Sequence, residues 1–416
     1  MATTLDSTLP LDTQLAPASQ DEFVAAVREA VASRTPIYTI GGGTSLDYGL
    51  PAKTPGLGIA TTGTGRVVDY PARDMTITVE SGITIDTLAA TLAAERQWLP
   101  IDVPESDLAT LGGVVATAWS GPRRYAQGTI RDYVIGIRAI DGHGTVFNGG
   151  GRVVKNVAGY DFCKLLTGSL GTLGVITQLT LKVKPLPEAS ALWMCDLPDA
   201  ETAERLLAAL VDSRTTPTAI ELLAGPAWQQ HEVLTPGGAA WARLVVGLEG
   251  TAAEVEWMGE QLAAEWRALS IEPAASLIGD ATRPAWQALT DFPTDRTAPL
   301  VLKVALPPSR VTQYFDLVRG IDAECSLQAH AGDGVLVVRF ARFDLADASR
   351  VLVGKLQATA SAWGGSATVL SCAAGELTRQ AVWGGRTGAV DLMEAIKRRF
   401  DPHHLLNPGR FLYELS

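Results

Sequence analysis

Three observations predict an α+β fold. Short apolar strands alternate with amphipathic helices through the first part of the chain. The strand Pro36 to Ile40 runs straight into Gly41-Gly42-Gly43-Thr44-Ser45. Past Pro187 the character shifts to Ala/Glu-rich helices, short strands and most of the tryptophans. The 416 residues suffice for roughly two to four domains. With 47% hydrophobic and 19% charged residues the composition is that of a packed globular chain, which excludes disorder and fibrous repeats. Lys plus Arg number 34 against 45 Asp plus Glu, a net charge of −11, the wrong sign for a general phosphate-backbone binder, so no nucleic-acid partner is expected.

The N-terminal stretch has no Lys or Arg before Arg28 and carries Asp6 and Asp12. It lacks the basic and apolar regions of a signal peptide, and residues 1–16 are expected to be a flexible tail of a cytoplasmic protein. A helix is predicted from about Ser19 to Ser33: Ser19 and Glu22 fit a capping box, and Phe23, Val27, Ala30 and Val31 share a face. The strand Pro36 to Ile40 and its glycine loop follow. A second strand, Thr76 to Glu80, turns at Ser81-Gly82 into a helix capped by Thr84, with Leu88 and Leu92 inward.

Residues 100–121 show almost no regular pattern, and a long glycine-rich segment inside a compact domain usually lines a ligand. A hairpin from Val134 to Phe147, turned at Asp141-Gly142-His143-Gly144, and a strand from Leu173 to Val183 close the first domain near residue 187. Residues 188–385 read as a second α+β domain with helices at 201–212 and 251–268 and strands at Arg243–Leu248, Val301–Ala305 and Val335–Phe340. The last segment, 386–416, holds a helix with Leu392, Ile396 and Phe400 inward, then Asn407-Pro408-Gly409. The uncharged stretches 165–181 and 356–375 are broken by Gly, Ser, Thr and Gln, so no transmembrane segment is expected. Cys163, Cys195, Cys325 and Cys372 are far apart without a CxxC pair and read as free thiols.

Gly41 to Ser45 can cradle a pyrophosphate, because residues without Cβ let successive N–H groups approach an anion and the hydroxyls of Thr44 and Ser45 add donors. Alone, the loop also reads as an ordinary tight turn, since it has neither the GxGxxG order nor the P-loop Lys. Together with Pro104 to Gly121, Gly168-Ser169-Leu170-Gly171-Thr172-Leu173-Gly174-Val175-Ile176-Thr177 and Leu406-Asn407-Pro408-Gly409-Arg410, it resembles the ordered FAD signatures of the vanillyl-alcohol-oxidase/PCMH flavoprotein family. Ser120 to Arg124, Arg131 to Gly136 and Lys155 to Asp161 are similar to the E-subunit branch of bacterial glycolate oxidases.

The resemblance implies a PCMH-type, two-subdomain FAD-binding domain (17–187), an α+β cap domain (188–385), and a C-terminal segment (386–416) returning to the FAD domain. It implies that Gly41, Gly42, Gly43, Thr44, Ser45 and Leu46 hold the pyrophosphate. Pro104, Thr110, Leu111, Gly112, Gly113, Ala116, Thr117 and Gly121 would follow the flavin and ribityl chain, Gly174 and Ile176 the adenine side, and Asn407 the flavin. No His or Cys occurs from 36 to 50, so the FAD is expected to be noncovalent. Arg123 and Arg124 read either as a guanidinium near the flavin N1/C2=O or as a surface or interface pair. Lys155, Asn156, Tyr160 and Asp161 read as structural or subunit-contacting, with Asn156 also considered for the flavin site.

His330-Ala331-Gly332-Asp333-Gly334-Val335-Leu336-Val337 resembles the HxGDGNxH segment of FAD-dependent 2-hydroxy-acid dehydrogenases, whose two His bind a divalent metal. Here Val335 replaces the Asn and Val337 the second His, and Ser371-Cys372 stands where those enzymes carry Glu-His. Hydrophobic side chains do not ligate metals, so no metal site is expected and His330 reads as a turn residue. No His lies at a spacing that nominates a general base, and the catalytic residues are unknown at this level. The expectation is the FAD-binding subunit of a glycolate oxidase complex. It would act as electron carrier or accessory flavoprotein beside a larger FAD subunit that holds the substrate and metal site and an iron-sulfur subunit, with membrane association only through the complex. The alternatives are a self-sufficient D-2-hydroxy-acid dehydrogenase, with Arg123 or Arg339 on the carboxylate, and a redox-inactive scaffold.

Overall fold

The computed structural model describes residues 9–152, 159–238, 240–386 and 388–412; Lys155 and Asn156 lie outside them. The chain forms two compact units. One holds the residues up to Ser120, Thr129–Leu186 and those from Gly385 on; the other holds Gly121–Gly128 and Pro187–Gly384.

In the first unit, β1 (Leu11–Leu15), β2 (Ile37–Ile40) and β3 (Gly56–Ala60) form a parallel sheet in the order β1-β3-β2. Residues 11–15, expected in a flexible tail, are therefore a paired strand. Leu9 and Leu11 pack with Tyr38 and Ile40, and this burial orders them. Helix α1 (Gln20–Ala32) starts at the expected Ser19 cap, with Glu22 N–H donating to Ser19 Oγ at 3.3 Å, but the Glu22 carboxylate accepts from Ala18 N–H at 2.9 Å in place of the Ser19 N–H that a capping box would use. Its face of Phe23, Ala26, Val27 and Ala30 is buried against Ile37, Ile59 and Leu406.

Next come β4 (Val67–Asp69), β5 (Thr76–Glu80), α2 (Ile85–Ala93), α3 (Leu111–Thr117), β6 (Val134–Ile140), β7 (Val146–Gly150) and β8 (Val175–Lys182). The five strands form an antiparallel sheet in the order β4-β5-β8-β6-β7, and Ile77, Val79, Leu88, Leu92, Leu111, Val115 and Leu179 build its core. Helix α3 lies in the stretch that reads as patternless. Gly112 and Gly113 depress helix propensity, but Gly112 lets the helix press on Ser81: a Cβ there would sit 2.9 Å from the Ser81 Cβ. Thr110 caps it, accepting from Gly113 N–H at 3.3 Å.

The second unit is one mixed-order antiparallel sheet among the described residues: β9 (Ala189–Leu197), β10 (Ala219–Ala224), β11 (Ala242–Gly250), β12 (Pro273–Ile278), β13 (Leu300–Ala305), β14 (Ser326–His330), β15 (Val335–Phe340) and β16 (Ser366–Ser371), in the order β12-β9-β11-β10-β14-β15-β13-β16. Residues 121–128, read with the first domain, pack here, with the Tyr125 ring over Gly332, where a Cβ would come within 2.4 Å. Among the described residues no helix is long and apolar enough to cross a membrane. The four cysteines are free.

Candidate functional site: a glycine-lined groove

The Gly41–Leu46 loop leaves β2 and is seated on the segment that precedes α3. A Cβ on Gly42 would lie 1.8 Å from the Leu108 carbonyl oxygen, and one on Gly41 would lie 2.2 Å from Thr110 Oγ1. These contacts demand glycine. Ser81, at the end of β5, ties α3 to β8: Gly112 N–H donates to its carbonyl at 2.7 Å, and its hydroxyl donates to the Ile176 carbonyl at 2.7 Å.

The C-terminal segment forms a further wall. Ile37 N–H donates to the Leu405 carbonyl at 2.7 Å and Asn407 N–H to the Ile37 carbonyl at 2.8 Å, so the segment adds to the edge of β2. The Asn407 amide bridges two elements: its Nδ2 donates to the Leu170 carbonyl at 2.8 Å and its Oδ1 accepts from Thr39 N–H at 3.0 Å. Gly171, with φ +68°, passes so close that a Cβ would meet Asn407 Nδ2 at 2.3 Å. Asn407→Ala leaves both partners without their bond, and an expected loss of about 1–3 kcal/mol is checked by urea denaturation of the full chain.

These walls line one groove that is open to solvent. Of the residues expected to hold the cofactor, Gly41, Gly42, Gly43, Thr44, Ser45, Leu46, Thr110, Gly112, Gly113, Ala116, Thr117, Gly174, Ile176 and Asn407 line it. Pro104 and Leu111 do not; both are buried beneath it, Leu111 in the core. Gly121 and Arg123 belong to the second unit, where the Arg123 guanidinium pairs with Glu249 at 2.8 Å and stacks 3.8 Å over Trp286. A fixed carboxylate partner and an aromatic platform account for Arg123 without a flavin contact.

Tyr38, Thr39 and Tyr48 also line the groove and were missed from sequence; Gly171 and Arg410, which fall inside the signature segments but were given no role of their own, line it as well. Arg410 directly follows the Asn-Pro-Gly motif, which is the signal that could have found it. Burial lowers its pKa to about 10, with Asp47 and Tyr38 opposing. Burial and the charge of Asp47 raise the Tyr48 phenol, so it is neutral at pH 7. Thr39 Oγ1 is buried with no hydrogen-bond partner among the described residues. Glycines that bring backbone close, hydroxyls, an orphaned buried oxygen and a cation together suit a long, anionic, hydrogen-bonding ligand such as a dinucleotide.

On the second unit's sheet, cross-strand register puts Glu221, His330, Val337 and Lys303 on one face: Glu221 opposes His330, His330 opposes Val335, and Val337 opposes Lys303. His330 ends β14 and is 4% exposed, with Nδ1 2.7 Å from Glu221 Oε1. It is thus a buried partner of Glu221 rather than a plain turn residue. Gln328 Nε2 also donates to Glu221, at 2.8 Å. Arg124 Nε lies 3.5 Å from Asp333 Oδ2, and burial raises the Asp333 pKa against the pull of Arg124 and His330. Burial and the Arg124 charge lower that of Lys303. Among the described residues no three His, Cys, Asp or Glu side chains group so as to hold a metal.

The fold and groove define a flavin-dependent oxidoreductase. Residues 12–150 match the FAD binding domain, and 186–411 match the C-terminal domain of FAD linked oxidases. The chain belongs to the FAD-linked oxidases, and its cofactor is FAD. It is 26% identical over 420 residues to glycolate oxidase subunit GlcD of Bacillus subtilis, across 96% of this chain and 88% of that protein. It is 38% identical over 165 residues to glycolate oxidase subunit GlcE of Escherichia coli, across 39% of this chain and 47% of that one. The narrower E-branch resemblance therefore rests on part of the chain, while the likeness to GlcD spans 96% of it. A solved alkyldihydroxyacetonephosphate synthase shares the fold at TM-score 0.69 and 18% identity, over 95% of this chain and 75% of that one.

Proposed function

We propose that this chain is an FAD-binding subunit of a glycolate oxidase assembly, taking part in the oxidation of glycolate to glyoxylate as electron carrier or accessory flavoprotein. The reaction removes two electrons and two protons from the substrate. In this reading a larger FAD subunit removes them and an iron-sulfur subunit carries the electrons away. What supports it is the face of the second unit's sheet, where Val337 stands at the position that the resemblance gives to a metal-binding His and the imidazole of His330 is held by Glu221.

FAD, when bound, supplies electron exchange in single or paired steps. The chain's own residues would hold it: the Gly41–Leu46 loop at the pyrophosphate, Thr110 to Thr117 along the ribityl side, and Ile176 and Asn407 toward the two ends. None of the lining residues is His or Cys, which supports noncovalent attachment.

One feature favours a second reading, a self-sufficient 2-hydroxy-acid dehydrogenase. Lys303 shares its sheet face with Val337 and lies within the field of Arg124, which itself faces Asp333, so Lys303 is the cation this face offers to a substrate carboxylate. Arg123 and Arg339 do not suit that role, since each is paired, with Glu249 and Asp295. The purified chain decides between the readings. Its flavin is expected in the supernatant after acid precipitation, and its absorbance should survive anaerobic addition of glycolate or D-lactate. Bleaching by either acid, abolished in Lys303→Met, would install the second reading; a colourless chain that still assembles would leave a scaffold.

A further inference from the structure

Arg410 is the charged residue among those that line the groove, and its residue is 8% exposed. A guanidinium carries five N–H donors and keeps its charge at any physiological pH. Its side-chain bond among the described residues is the one to the Leu46 carbonyl, at the end of the glycine loop. It makes no ion pair among the described residues; Asp47 acts on it only through its field. A buried cation in that state is a liability for an empty groove, because desolvation is not offset by a fixed counter-charge.

The surroundings indicate what the counter-charge is. The guanidinium is bonded to the end of the glycine loop, whose backbone without Cβ atoms can approach an anion. The segment carrying it is tied down on both sides, by Leu50 N–H donating to the Gly409 carbonyl at 3.3 Å and by Arg410 N–H donating to the Asn407 carbonyl at 3.1 Å. The chain as a whole is at −11, so nothing in the global field attracts a dianion to this groove. The attraction must be local.

We propose that Arg410 is the counter-cation of the FAD pyrophosphate, so that cofactor binding latches the C-terminal segment onto the Gly41–Leu46 loop. This rests on the reading that the groove holds FAD. The pyrophosphate carries two negative charges shared over its non-bridging oxygens, and the free donors of the guanidinium match them as a fork. Arg410 is then a binding residue for FAD, indifferent to the isoalloxazine.

The test uses the full chain stripped of flavin, with Arg410→Met and Arg410→Lys, titrated with FAD and with riboflavin, which lacks the phosphates. Flavin fluorescence reads binding, and thermal melts of the flavin-free proteins read folding. Arg410→Met should bind FAD about 10- to 100-fold more weakly than wild type and riboflavin within about 2-fold of it. Its flavin-free form should melt no lower than wild type, because a buried unpaired charge has been removed. Arg410→Lys, with the charge but without the fork, should fall between the two for FAD and match wild type for riboflavin.

Equal losses for FAD and riboflavin, or unchanged FAD affinity with a lowered melting temperature, would make Arg410 a structural residue and overturn the proposal. Failure of Arg410→Met to fold, with Arg410→Lys binding FAD as wild type does, would overturn it also. Wild type that binds neither flavin would overturn the FAD reading of the groove itself, an outcome distinct from the others.

Discussion

Lys397→Met is expected to remove about 3–5 kcal/mol from the stability of the unit that holds FAD. Lys397, in the C-terminal helix Val390–Phe400, is 3% exposed, and its ammonium donates to Asp401 Oδ2 at 2.5 Å, to the Thr172 carbonyl at 2.7 Å and to the Leu406 carbonyl at 3.2 Å. Asp401 is fully buried and accepts from Leu405 N–H at 3.0 Å and Leu406 N–H at 2.8 Å. One ion pair thus joins the 168–174 turn to the strand-like segment that presents Asn407. Methionine fills similar volume but leaves a buried carboxylate without its cation and two carbonyls without a donor. Circular-dichroism melts of the full chain measure the loss. Asp401→Asn alone should also destabilise, and the double variant should lose less than the sum of the singles, since each single strands the partner that the other removes. A Lys397→Met melt within about 1 °C of wild type would show that the pair contributes little.

Gly42→Ala is expected to purify nearly free of flavin while the second unit stays folded. The added Cβ would fall 1.8 Å from the Leu108 carbonyl oxygen and 2.5 Å from its carbon, both backbone atoms that no side-chain rotation can clear. The loop must lift from the 105–110 segment, which would misalign the N–H groups proposed to face the pyrophosphate, and FAD affinity should fall by about 10- to 100-fold. Gly65→Ala, in the same unit but not among the groove-lining residues, is the control. Its Cβ would come no nearer than 3.4 Å to any neighbour, an ordinary contact. The ratio of visible flavin absorbance to protein absorbance, taken on purified protein, compares the two; equal flavin content would remove the steric account of the loop.

Features legible in the sequence are those set by neighbours along the chain. The Ser19 cap of α1, the Thr84 cap of α2, the glycine loop after β2 and the hairpin turned at residues 141–144 each depend on contacts a few residues apart, and each occurs where expected. The family and its cofactor followed from four such local segments in order. Helix α3 was hidden because its glycines serve contact with Ser81 and lower the very propensity that would have announced it. In the C-terminal helix, Leu392, expected inward, is 64% exposed, while Lys397 is buried. An apolar periodicity has no way to register a lysine that three oxygens satisfy.

By itself, then, the sequence determined the fold class, the FAD family and the glycine loop after β2. Only the tertiary structure decided that Arg410 faces the groove, that Arg123 belongs to Glu249 and Trp286, and that Glu221 holds His330 from 109 positions away. Caps, turns and glycine φ angles are local free energies that a short window of residues contains. Which buried charge meets which partner depends on strand register and on chain segments brought together by burial, and those contacts exist only once the sheet is formed.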